Sequence, residues 1–154
     1  MERLKKLKVK EQEELILLSL PQGLEGLKDE LSINHAVKET LPSGEAGFIL
    51  AFFESQEEIR RLVPRIMESV SGDTLLWTAY PKKSSKKYRS DISRDQGWEI
   101  LGQYGYEPVS QIALDEDWSA LRFRPVDKIK DFRRNEKMVL SDEGRSRTKK
   151  NENT

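Results

Sequence analysis

The sequence predicts an α/β, Rossmann-like domain: a mostly parallel sheet with helices on both faces and a C-terminal antiparallel hairpin. Three observations carry this. Short runs that are apolar on both faces, such as Leu15-Ile16-Leu17-Leu18 and Gly47-Phe48-Ile49-Leu50-Ala51-Phe52-Phe53, suit strands buried from both sides. These runs alternate with segments whose apolar residues recur at helical spacing, the pattern of strand–helix–strand units. The last two apolar segments are separated only by Asp115-Glu116-Asp117, which is too short for a parallel crossover and forces a hairpin.

Taken in order, residues 1–13 alternate basic and acidic blocks and read as a polar lead-in, frayed or forming a short surface helix. The first strand, residues 15–20, ends at Pro21-Gln22-Gly23, after which Leu24, Leu27 and Leu31 mark a helix. Residues 33–40 suit a second, less buried strand, with no acidic residue clearly at its end, and Pro42-Ser43-Gly44 marks a turn. After the strand at 47–53, Ser55-Gln56-Glu57-Glu58 has the form of a capping box. It opens a helix with an apolar stripe from Ile59 to Val70, which Pro64 should kink or split. Residues 74–80 form a fourth strand closed by Pro81. A second capping box, Ser93-Arg94-Asp95-Gln96, should open a helix through Trp98 and Leu101 that Gly105 stops. The hairpin strands are residues 109–114 and 118–124.

The domain is thus expected over residues 14–126. Residues 127–154 form a charged tail, a short helix near 127–138 followed by disorder beyond Ser141. The formal net charge of zero conceals an asymmetry, because the tail holds 9 basic against 6 acidic residues. The absence of Cys excludes disulfides, thiolate metal sites and a cysteine nucleophile. No signal-peptide pattern opens the chain and no apolar run approaches the roughly 20 residues that span a bilayer, so a cytoplasmic protein without a membrane partner is expected.

Catalytic constellations are mostly missing. His35 is the single histidine, so a multi-histidine metal site is excluded and no metal is expected; no G-x-S-x-G elbow accompanies it. The loop after the first strand, Pro21-Gln22-Gly23-Leu24-Glu25-Gly26, matches no phosphate-binding fingerprint, and Glu25 would repel an anion. The loop after the fourth strand is richer. Lys82, Lys83, Ser84, Ser85, Lys86, Lys87, Tyr88 and Arg89 place five cations, two serine hydroxyls and one tyrosine where α/β sheets bind ligands, outside the carboxyl end of a strand. The hairpin adds Trp118, Arg122 and Arg124 on one strand face, set either to hold an anion or base or to charge an edge strand.

Two short motifs, Trp77-Thr78-Ala79-Tyr80-Pro81-Lys82 and Asp117-Trp118-Ser119-Ala120-Leu121-Arg122, resemble a small bacterial family with no assigned function. The resemblance is clear over residues 75–125. It implies a stand-alone Rossmann-like domain in which Lys82, Trp118 and Arg122 form one neighbourhood. It implies no reaction and no cofactor.

The expected function is therefore a non-catalytic binding or regulatory module for an anionic small molecule, a nucleotide, an RNA or a protein partner. The expected site is Lys82, Lys83, Ser84, Ser85, Lys86, Lys87, Trp118 and Arg122. Two alternatives remain: a reduced methyltransferase-like enzyme, since such folds also end a parallel sheet with an antiparallel hairpin, and a structural protein-interaction domain anchored by its tail.

Overall fold

The structure, a computed structural model, describes residues 2–9 and 14–129. Four helices and six strands follow in the order α1 (Glu2–Lys6), β1 (Glu14–Leu18), α2 (Glu25–Ser32), β2 (Ala36–Lys38), β3 (Phe48–Phe52), α3 (Gln56–Met67), β4 (Leu75–Pro81), α4 (Glu99–Gln103), β5 (Tyr106–Ala113) and β6 (Trp118–Pro125) among the described residues. The strands form one sheet in the order β2-β1-β3-β4-β6-β5. The first four pair in parallel, and β6 pairs antiparallel with both β4 and β5. This is the Rossmann-like arrangement that the sequence predicts.

Alternation along the strands sorts side chains into two cores. Ile16, Ile49, Ala51, Leu76, Leu121 and Phe123 pack with Ile59, Val63 and Ile66 of α3 and Leu101 of α4. On the other face, Leu15, Leu17, Phe48, Leu50, Trp77 and Ala120 pack with Leu27 and Leu31 of α2 and with Leu7. Each large apolar side chain fully buried contributes about 1.5–3 kcal/mol, against about 0–1 kcal/mol for an exposed ion pair such as Lys28–Glu39. The two cores hold the domain.

Several local expectations are corrected. The lead-in, expected to be frayed or a short surface helix, is a short helix over Glu2–Lys6 that is not confined to the surface. Leu7 is fully buried, its carbonyl accepts the Trp77 indole N–H, and the Arg3 guanidinium grips the Glu30 carboxylate through two hydrogen bonds while also reaching Leu114 O. Helix α3 runs through Pro64 in one piece. The carbonyl that Pro64 leaves without an N–H belongs to exposed Arg60, where water can serve it. Ser93 does not cap a helix. Its backbone exchanges hydrogen bonds with Gln96, Gly97 turns the chain at φ +107°, and α4 starts only at Glu99. By contrast Ser55 does cap α3, its Oγ accepting from Glu58 N at 3.2 Å. The tail beyond Ile129 lies outside the described residues. No helix among the described residues is long and apolar enough to cross a membrane.

Candidate functional site

Strand β1 lies between β2 and β3, so the chain leaves β1 in one direction and returns across it to the other. That reversal opens a crevice at the carboxyl ends of β1 and β3, the usual ligand position in such sheets. The return connection, residues 39–47, contains no helix. The face over β1 is instead bordered by Leu41 and by Leu62, Arg65 and Ile66 of α3, leaving a cleft of about 310 Å³. Leu18 and Ser19 line it from the end of β1, Glu39 and Thr40 from the end of β2, and Ala51, Phe52 and Phe53 from the end of β3.

Two residues here escape a sequence reading. Strand β2 stops at Lys38 rather than running to residue 40, so an acid, Glu39, does end the second strand. Its carboxylate accepts from Lys28 Nζ at 3.0 Å, and both groups are exposed. Ser19 holds φ +60°, a left-handed conformation that costs a non-glycine residue about 1–2 kcal/mol. Neither Gly23 nor Gly26 has a positive φ, and the first loop is a single 3₁₀ turn leading into α2.

A second cleft, of about 500 Å³, lies at the carboxyl end of β4. Tyr80, Lys82, Lys83 and Ser84 line one side, Ser93, Arg94 and Asp95 another, and Gln111 and Ser119 of the hairpin close it. Gln111 Nε2 donates to the Tyr80 hydroxyl at 2.6 Å. Burial pushes the Tyr80 phenol above its ordinary pKa of 10.0, with nearby Arg94 opposing and Asp95 reinforcing the shift. Arg94 also pairs with Asp95 at 2.8 Å. Three cations thus face one carboxylate.

The loop that carries Lys82 and Lys83 is pinned by hydrogen bonds and ring packing rather than by its lysines. Ser85 Oγ donates to Asp117 Oδ1 at 2.7 Å and accepts from the N–H groups of Lys87 and Tyr88. The Tyr88 ring packs edge-on against Trp118 at 5.2 Å between centroids. Further along, Ser90 donates to Glu54 O, and Asp91 accepts from Gln56 N at the start of α3. That helix terminus is therefore already occupied.

The expected site residues separate accordingly. Lys82, Lys83 and Ser84 line the cleft. Ser85 is turned inward as the pin of the loop, and Lys86 and Lys87 are exposed outside the lining. Trp118 is only 1% exposed, packed against Phe52 and Tyr88, so its indole is core and does not face the cleft. Lys82 does stand beside it, since Lys82 N donates to Asp117 O and Pro81 pairs with Trp118. Arg122 pairs instead with Trp77, four positions back along β4, a separation of about 13 Å at about 3.3 Å per residue. Lys82 thus neighbours Trp118, while Arg122 lies further along the β4–β6 pairing. Arg122 is half-buried with its Nε unbonded, and burial together with neighbouring Arg124 lowers its pKa. His35 sits half-buried between α2 and β2, outside both clefts.

Tyr80, Ser93, Arg94, Asp95, Gln111 and Ser119 complete the second cleft. Only the position of Ser93 to Asp95 before a helix hinted at this, and the sequence pattern assigns them to a cap instead.

No family model matches the chain, and no curated protein matches it in sequence. Solved structures do. A SAM-dependent methyltransferase from Aquifex aeolicus superposes with a TM-score of 0.50 at 12% identity, over 79% of this chain and 87% of that one. A ribosomal protein L11 methylase from Lactobacillus delbrueckii subsp. bulgaricus gives 0.46 at 11% identity, over 79% and 74%. A fibrillarin pre-rRNA processing protein from Methanococcus jannaschii gives 0.44 at 9% identity, over 75% and 68%. At these identities the likeness is one of fold alone, and the chain has an α/β Rossmann-like fold like that of the Aquifex aeolicus structure.

Proposed function

We propose that the chain is a ligand-binding domain on a methyltransferase-like scaffold, and that its ligand is an adenosine-type nucleoside of the S-adenosylmethionine class. The observation that carries this is Glu39, an acid at the carboxyl end of β2 lining the cleft at the switch point. An acid about 20 residues beyond the first strand turn suits the hydroxyl pair of a ribose, whose two donors a carboxylate accepts together. Glu39 follows Ser19 by that interval. The cleft walls, from Leu18, Leu41, Phe52 and Ile66, supply apolar surface for a base. The superposition on the Aquifex aeolicus enzyme supports the reading at the level of fold. The first loop departs from the glycine-rich pattern, so the methionine end of such a ligand would meet the strained Ser19 backbone instead. Calorimetric titration with S-adenosylmethionine and S-adenosylhomocysteine tests it: micromolar binding weakened about tenfold or more by Glu39→Gln is expected. No heat with either ligand at millimolar concentration would remove it.

A second reading, a non-catalytic module for an anionic ligand, is favoured by the convergence of Lys82, Lys83 and Arg94 on the cleft at the end of β4. A cleft with an excess of one sign of charge raises the local concentration of oppositely charged ligands, and here three cations face the single carboxylate of Asp95. Here the readout is affinity for nucleotides or short RNA as salt is raised. Unchanged affinity after neutralising Lys82 and Lys83 together would dispose of this reading.

A further inference from the structure

The cleft at the end of β4 is rich in donors and poor in acceptors, and one hydrogen bond makes it more so. Gln111 Nε2 donates to the Tyr80 hydroxyl oxygen at 2.6 Å. The phenol therefore spends a lone pair on Gln111 and keeps its own proton to give away. Among the described residues none accepts that proton, and Tyr80 lines the cleft. Lys82, Lys83 and Arg94 add charged donors, and Ser84, Ser93 and Ser119 add hydroxyls. The single carboxylate, Asp95, is already engaged by Arg94 at 2.8 Å and is largely exposed.

We propose that this cleft is a phosphate-monoester subsite. Tyr80 donates to one phosphate oxygen, Gln111 holds the phenol in that orientation, and Lys82, Lys83 and Arg94 supply the countercharge. The proposal rests on the anion-binding reading above and names its ligand. A carboxylate offers two oxygens and one charge, and a phosphodiester one charge and two terminal oxygens. A phosphate monoester offers three terminal oxygens and nearly two charges, which match an excess of two cations and a spread of donors on three sides. The volume of about 500 Å³ leaves room for the esterified group as well. Asp95 offsets only one of the three cations, and burial keeps the phenol a donor throughout the neutral range.

The experiment is a titration of the full chain with phenyl phosphate, dimethyl phosphate and acetate, followed by NMR on the Gln111 side-chain amide and by calorimetry. Phenyl phosphate is expected to bind, to shift the Gln111 amide signals, and to bind more tightly than the other two. Tyr80→Phe retains the ring packing against Trp98 and should weaken it about tenfold to a hundredfold, the usual effect of losing a hydrogen bond to a charged group. Arg94→Gln, on the surface, should weaken it about tenfold. Gln111→Met should weaken it less than either. If none of the three anions binds, the anion-binding reading itself fails. If anions bind but Tyr80→Phe keeps full affinity, or acetate matches phenyl phosphate, the anion reading stands and the subsite is overturned. Tighter binding of dimethyl phosphate would also overturn it, in favour of a nucleic-acid backbone.

Discussion

The Trp77 indole N–H donates to the Leu7 carbonyl at 3.0 Å inside the core, tying the centre of the sheet to the amino-terminal helix across 70 positions of sequence. Both residues are fully buried. A mostly polar segment thus completes one face of the sheet through buried Leu7, with Leu4 and Val9 packed beside it, a carbonyl and the Arg3–Glu30 pair.

Leu7→Ala should therefore destabilise the domain by about 2–5 kcal/mol, the range for leucine truncation in a closed core. Arg3→Ala should cost less, about 1–2 kcal/mol, because its ion pair is partly exposed. Urea unfolding of the two variants measures both. A Leu7→Ala variant as stable as the parent would mean that α1 is not part of the folded unit.

Gly97 sits at φ +107°, and a Cβ added there would lie 3.0 Å from Gln56 Cγ at the start of α3. Gly97→Ala should lower stability by about 1–3 kcal/mol through backbone strain together with that contact. Gly23→Ala, whose added Cβ meets nothing within 4 Å, should change it by well under about 1 kcal/mol. Thermal unfolding of the pair separates the two.

Much of this architecture is legible in the residues. The doubly apolar runs, the helical stripe on Ile59, Val63 and Ile66 and the three-residue acidic turn suffice for the sheet and its closing hairpin. Local signals fail where tertiary contacts compete with them. Ser55 and Ser93 both head capping-box patterns, yet only Ser55 caps a helix. At Ser93 the buried Trp98 indole donates to the Ser93 carbonyl at 2.8 Å and fixes a loop instead. The site is less legible for the same reason. Trp118 and Arg122 share a strand face, but Trp118 is buried in the core, whereas Tyr80, Arg94 and Gln111 meet only because the sheet pairs β4 with β6 and β6 with β5. Glu39 was hidden because the strand ends two residues earlier than its pattern suggests.

Alkaline pH offers an independent check on burial. Desolvation raises the phenols of Tyr80 and Tyr106 above 10.0, and neighbouring Asp127 reinforces the shift at Tyr106. A raised native pKa gives stability that is complete below the unfolded value, about 10, and is lost as pH rises through the native value. The midpoint of urea unfolding should hold up to about pH 10 and then fall, and the fall should be shallower in Tyr80→Phe. An identical alkaline profile in the variant would show the Tyr80 phenol to be as solvated as in the unfolded chain.

Ser85 acts on the second cleft without lining it. Ser85→Ala removes the hydrogen bond to Asp117 and two backbone acceptor contacts, and should cost about 1–2 kcal/mol. Amide exchange at Lys87 and Tyr88 should quicken at least tenfold, while exchange in β3 stays slow. Equal protection in the variant would place the anchor of the loop elsewhere, in the Tyr88–Trp118 contact.

The most direct measurement is a calorimetric titration of the chain and of Glu39→Gln with S-adenosylhomocysteine. Because Glu39 is exposed and its pairing with Lys28 is a surface contact, the substitution should leave the melting temperature nearly unchanged. Micromolar binding by the parent, weakened about tenfold or more in the variant, is the result expected of a nucleoside site at the end of β2. Equal affinity in both, or no binding by the parent, would contradict that site.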